Sequence, residues 1–213
     1  MHYLLKREWI HSDHIDVVSI CIVTWLLRCW DNGTSSLELE VQKSNGQWRL
    51  TVDYRGLNEV TLLLSAAMPD MLELPYELES KAAEQYATIG TVNTFFSIPL
   101  AAECRPQFAF TWRGVQYTCN QLPQGWKHSP TICHGLIQTA LEQGEAPEHL
   151  QYIDDIIIWG NTAEEVFEKG KKIIKILLKA SFAIKRSKVK GPARRSSLKE
   201  YNGKMGILRS QWM

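Results

Sequence analysis

Apolar and polar residues alternate strictly in two places along the chain. Trp48, Leu50, Val52 and Tyr54 alternate with Arg49, Thr51 and Asp53, the period-two pattern of a half-buried strand. Phe108, Phe110 and Trp112 alternate with Gln107, Ala109 and Thr111 in the same way. Asn45-Gly46 ahead of the first run marks a turn. Two later stretches carry the helical period instead. After Pro130, residues 131–143 place Ile132, Leu136, Ile137, Ala140 and Leu141 on one face, and Gly144 stops the pattern. A second helix is predicted over 163–180, with Val166, Phe167, Ile173, Ile174, Leu177 and Leu178 as its buried stripe. Thr162 followed by Glu165 is a capping-box pattern at its start. Residues 1–40 and 193–213 carry no period, so a patterned body over 41–192 is bracketed by two atypical segments. No internal repeat is present.

Composition adds modestly to this picture. The chain has 213 residues, 45% hydrophobic and 22% charged, enough for one large domain or two small ones. Its net charge of +1 names no polyanionic partner, but the distribution is uneven. Residues 1–168 hold 10 Lys and Arg against 22 Asp and Glu, while residues 169–213 hold 14 Lys and Arg against one Glu. Such asymmetry fits a nucleic-acid contact, and equally a solvated helix face followed by a disordered end. Cys21, Cys29, Cys104, Cys119 and Cys133 form no CxxC pair, which favours reduced thiols in an intracellular, cytoplasmic setting. His11, His14 and Cys21 make a poor metal set. The longest apolar run, residues 17–27, is too short to cross a membrane. Asp13 and Asp16 precede it and Arg28 closes it without a small-residue cleavage site, unlike a signal peptide.

The sharpest chemical signal is Gln151-Tyr152-Ile153-Asp154-Asp155, followed by Ile156, Ile157, Ile158 and Trp159. Two adjacent acids lie between two β-rich apolar runs, so a hairpin with both acids at its tip is the natural geometry. Adjacent carboxylates repel, and a divalent cation with oxygen ligands relieves the repulsion. A solvated Asp-Asp turn is the competing account of the dipeptide.

Its neighbours narrow the choice. Trp48-Arg49-Leu50-Thr51-Val52-Asp53-Tyr54-Arg55-Gly56-Leu57-Asn58 comes first, then Phe95-Phe96-Ser97-Ile98-Pro99-Leu100, then Leu122-Pro123-Gln124-Gly125-Trp126-Lys127-His128-Ser129-Pro130. In this order and spacing the set resembles the reverse transcriptases of retroviruses and endogenous retroviral elements, over residues 41–192. The resemblance implies an α+β fold: a right-hand polymerase palm, an antiparallel sheet backed by helices, with partial fingers and the thumb absent. It implies RNA-directed DNA polymerisation with magnesium, on primer–template nucleic acid and a deoxynucleoside triphosphate. It implies metal-binding, catalytic roles for Asp154 and Asp155. Lys43 and Arg49 would hold the triphosphate, by a point charge and a fork respectively. Gln124 and Gly125 would line the nucleotide, and Phe95 would exclude a ribose 2′-hydroxyl by clash. Apart from the resemblance, Phe95, Gln124 and Trp126 read as packing residues.

The chain departs from the family's pattern where it matters most. The family's first catalytic Asp stands five residues before the gate aromatic, in a segment like Thr-Ile-Asp. This chain has Thr88-Ile89-Gly90, with Phe95 five residues on. Gly90 thus occupies the position of a missing third carboxylate, and the next acid along, Glu103, is too far on to replace it. Cys119 and Gln121 stand where Trp and Arg are usual, and Ser181 where Gly is usual. After Gly191-Pro192-Ala193 the family continues into a primer-grip strand, whereas this chain reads Arg194-Arg195-Ser196-Ser197-Leu198-Lys199-Glu200-Tyr201-Asn202-Gly203-Lys204-Met205. Codons for Ser-Leu-Lys-Glu-Tyr-Asn-Gly-Lys-Met, read one base out of phase, can encode Gln-Phe-Glu-Gly-Ile-Gln-Trp-Gln-Asp. A frame shift near residue 194 is therefore expected, with 193–213 its product. The expected chain is a polymerase domain by descent and inactive in this copy; the alternative is a non-catalytic remnant that binds nucleic acid or a protein.

Overall fold

The computed structural model describes residues 35–36, 39–42, 48–62, 64, 74–81, 83–112 and 115–194. Nine strands are described: β1 (Ser35–Ser36), β2 (Leu39–Gln42), β3 (Trp48–Thr51), β4 (Gln85–Thr91), β5 (Phe110–Trp112), β6 (Val115–Tyr117), β7 (Leu150–Tyr152), β8 (Asp155–Gly160) and β9 (Ile184–Arg194). The α-helices are α1 (Arg55–Val60), α2 (Leu74–Ser80), α3 (Ser129–Gln143) and α4 (Ala163–Lys179), joined by 3₁₀ segments at Phe95–Ser97 and Ala102–Phe108. The chain divides into two compact units, Met1–Ala66 with Phe95–Pro130, and Ala67–Thr94 with Thr131–Met213. The expectations for residues 1–34 and 195–213, the frame shift included, lie outside the described residues.

In the first unit, β2 and β3 pair antiparallel, Val41 opposite Arg49. β6 and β1 flank β5, antiparallel and parallel respectively. Paired backbone thus begins before residue 41. The alternation at 48–54 is only partly strand: β3 ends at Thr51 and α1 begins at Arg55. The run at 107–112 also shortens, because Pro106 lies in the preceding 3₁₀ segment and Phe108 belongs to it. The core gathers around Phe108, fully buried, with Tyr54 edge-on at 6.0 Å and Trp126 at 5.0 Å.

The second unit is a four-stranded antiparallel sheet in the order β7-β8-β4-β9. The central strands β4 and β8 are buried along nearly their whole length, which is why Ile156–Trp159 reads as a continuous apolar run. On one face of the sheet Leu78, Ala83, Tyr86, Ile157 and Trp159 cluster. On the other, α4 lays down Val166, Gly170, Ile173 and Leu177, spaced at three and four residues. Gly170 lets the helix approach closely: a Cβ there would lie 3.3 Å from Ile158. The predicted stripe is corrected at two positions, because Phe167 and Leu178 are 58% and 54% exposed. Each follows a buried residue by one position, which rotates it about 100° round the helix and off the sheet.

Candidate active site

β7 and β8 form the expected hairpin, with Tyr152 opposite Asp155 and Ile153-Asp154 making the turn. Ile153 has φ of 53°, a left-handed conformation that a β-branched side chain rarely adopts. Thr91 at the end of β4 donates its backbone N–H to the Asp154 carbonyl at 3.0 Å, and its hydroxyl lies 3.3 Å from the same oxygen. The Thr91 hydroxyl also pairs with that of Thr94.

Gly90 lies directly opposite Asp155 in the β4–β8 ladder. A Cβ built on Gly90 would lie 2.8 Å from Asp155 Oδ1, 3.4 Å from Lys188 Cδ and 3.6 Å from Lys188 Cβ. The Asp155 carboxylate and the Lys188 stem therefore converge over the space a side chain at position 90 would enter. The three positions aligned from sequence are neighbours in space, and the third carries no donor.

Electrostatically, the turn is under load. Burial first, and then the neighbouring Asp155, push the Asp154 carboxyl up to about 6, against smaller opposing effects of a backbone hydrogen bond and then of Lys188. Two carboxylates on one turn can contact a divalent cation, but they do not make the three-carboxylate cage that the resemblance implies. Among the described residues no group of three or more His, Cys, Asp or Glu is placed to hold a metal. The residues present therefore do not fit the full metal centre.

The remaining predicted residues belong to the first unit. Lys43 lies outside the described residues. Arg49 lies on β3 opposite Val41, and its side chain is outside what is described. Gln124 is half-buried and Gly125 is exposed. Gly125 has φ of 91°, so glycine suits the turn it occupies. Asn58 on α1 holds that turn at two points: its amide nitrogen donates to the Gly125 carbonyl and its amide oxygen accepts from the Lys127 N–H, both at 2.8 Å. The Lys127 ammonium donates to the Thr61 carbonyl, and His128 Nε2 lies 2.6 Å from the Leu62 carbonyl. Trp126, buried, packs between Phe108 and His128. Phe95 opens its 3₁₀ segment and is only 8% exposed, whereas the adjacent Phe96 is 44% exposed.

Two residues that organise these turns, Asn58 and Thr91, have no role in the sequence pattern. Asn58 closes the run of residues 48–58, and an amide able to donate and accept at once is its signal. Thr91 directly follows Gly90 and gives none.

Residues 41–199 match the reverse transcriptase (RNA-dependent DNA polymerase) family. The chain is 33% identical over 145 residues to the Pro-Pol polyprotein of simian foamy virus type 1, covering 68% of the chain. It is 31% identical over 187 residues to the Gag-Pro-Pol polyprotein of human T-cell leukemia virus 2, covering 81%. The chain spans 12% of the length of each of these relatives. The solved structure of the foamy viral protease-reverse transcriptase in complex with dsDNA superposes with a TM-score of 0.62 at 28% identity, over 72% of this chain and 31% of that one. With a family match over most of its length, an antiparallel sheet backed by helices and an Asp-Asp hairpin at the edge of that sheet, the chain belongs to the reverse transcriptase family, as a palm-bearing segment related to retroviral Pol.

Proposed function

We propose that this chain descends from the RNA-directed DNA polymerase of an endogenous retroviral element and has lost polymerisation at the catalytic centre. One observation carries the loss: Gly90 stands directly opposite Asp155 in the ladder, where the family's third carboxylate would stand. Of the divalent cations, magnesium is the one this reading implies; Asp154 and Asp155 alone would hold it weakly. Arg49, Lys43, Gln124, Gly125 and Phe95 keep the family's nucleotide-binding roles, so a triphosphate binds weakly and with little dependence on magnesium.

A second reading, a non-catalytic nucleic-acid-binding remnant, is favoured by β9. Lys185, Arg186, Lys188, Lys190 and Arg194 are all exposed along this strand, and the foamy viral relative was solved with dsDNA. Salt-dependent binding of a primer–template duplex separates the readings, because phosphate contacts leave that slope; primer extension on a homopolymer template tests the loss of polymerisation. The test uses the chain continued in the original frame beyond residue 193, with Gly90 or with Gly90→Asp. The Asp version extends the primer and the Gly version does not. Equal extension by both would remove the claim that Gly90 is the disabling change.

A further inference from the structure

The turn bearing Asp154 and Asp155 sits in a conformation its own sequence resists. Ile153 has φ of 53°, a region glycine enters freely and a β-branched residue enters only when its surroundings hold it there. The Gln151 side chain reaches the Ile153 carbonyl. Its amide nitrogen donates to that oxygen at 3.0 Å and to the His134 carbonyl of α3 at 2.9 Å, which uses both hydrogens. Gln151 is 8% exposed, and its side-chain oxygen is buried without a partner. A buried polar atom left unpaired is costly, and an apolar residue would avoid that cost. What the position gains from glutamine is therefore its nitrogen. Turning the amide over would set its oxygen against two carbonyl oxygens, so the orientation is fixed by chemistry. On the next residue the Asp154 carbonyl is held from β4 by Thr91. Two consecutive carbonyls of the turn are thus secured, that of Ile153 by Gln151 and that of Asp154 by Thr91.

We infer that Gln151 is a positioning residue that ties helix α3 to the Ile153 carbonyl and so keeps the Asp154–Asp155 turn left-handed. That these carboxylates serve metal binding rests on the functional reading above; the holding does not. Without Gln151 the turn relaxes toward negative φ at Ile153, the Asp154 carbonyl swings away, and the Thr91 N–H loses its acceptor.

Amide exchange measured by NMR on the full chain tests this. In Gln151→Ala, and in Gln151→Glu, whose carboxylate cannot donate, exchange at Thr91 quickens by about tenfold while amides of α4 keep their native rates. Adding Ile153→Gly to Gln151→Ala restores most of the protection, because glycine tolerates the left-handed turn unaided. If Gln151→Ala does not fold, the double variant with Ile153→Gly does. The inference is overturned by unchanged exchange at Thr91, by equal acceleration throughout the unit, or by no recovery with Ile153→Gly. Manganese titration of Gly90→Asp separates the two layers of argument: the predicted exchange behaviour in the Gln151 variants with no manganese bound by Gly90→Asp retains the positioning role and removes the metal reading.

Discussion

At the scale of single residues, the chemistry turns on which side chains share the hairpin tip. Asp154 carries a pH signature that does not depend on any ligand. Its carboxyl is pushed from an ordinary value of 3.8 to about 6, by burial and then by Asp155. The folded chain therefore binds this proton more tightly than the unfolded chain does. Stability from this source is fully present below about pH 4 and is lost as pH rises through about 6. Asp154→Asn should remove the loss, leaving the variant more stable than the native chain by on the order of 1–3 kcal/mol at pH 7.5, with the gap closing toward pH 4. Urea unfolding at both pH values checks this, and a gap that widens toward acid contradicts it. The acids themselves were legible because two adjacent carboxylates between apolar runs form a local pattern. Gly90 was legible only through the family's spacing, since a glycine carries no chemistry of its own. The Gln151 contact was not legible, because it depends on a backbone angle at Ile153 and on a carbonyl of α3 seventeen positions away in sequence.

At the scale of elements, both long helices and the hairpin follow from periodicity. α4 begins where the capping pattern places it: the Thr162 hydroxyl accepts from the Glu165 N–H at 3.2 Å. The Glu165 carboxylate reaches back one residue beyond the cap, to the Asn161 N–H at 2.9 Å, and pairs with Lys169 at 2.7 Å. Thr162→Ala should cost about 1 kcal/mol, measured by urea unfolding; no loss would show that Glu165 holds the helix start without the hydroxyl. The errors at this scale have a common cause. Apolar residues adjacent to a helical stripe look buried in sequence, yet Phe167 and Leu178 fall outside the face that meets the sheet. An alternating run looks like a strand throughout, yet Phe108 is spent on a 3₁₀ segment and Asp53 and Tyr54 on the approach to α1. Pattern records which side chains are apolar; neighbouring elements decide which of them find cover.

At the scale of the whole molecule, the antiparallel sheet with a helix on one face was legible through the family resemblance that its motifs carry. The charge asymmetry takes physical form in β9, whose basic residues are exposed. If this strand contacts a phosphate backbone, replacing Lys185, Lys188 and Lys190 together with Gln should lower the slope of log affinity against log salt by roughly 2–3 for a primer–template duplex. A slope that does not change would assign those cations to solubility alone. Among the described residues no helix is long and apolar enough to cross a membrane.

The central claim is that the metal centre is incomplete because position 90 carries no carboxylate. Manganese binding to the native chain and to Gly90→Asp, followed by electron paramagnetic resonance, tests it without requiring catalysis. An Asp side chain at position 90 must displace Asp155 Oδ1, which would lie 2.8 Å from its Cβ, and a flexible carboxylate end can give way. The account predicts that Gly90→Asp binds manganese on the order of tenfold or more tighter than the native chain, because a third oxygen donor and its charge join the site. Equal, tight binding by both chains would contradict it.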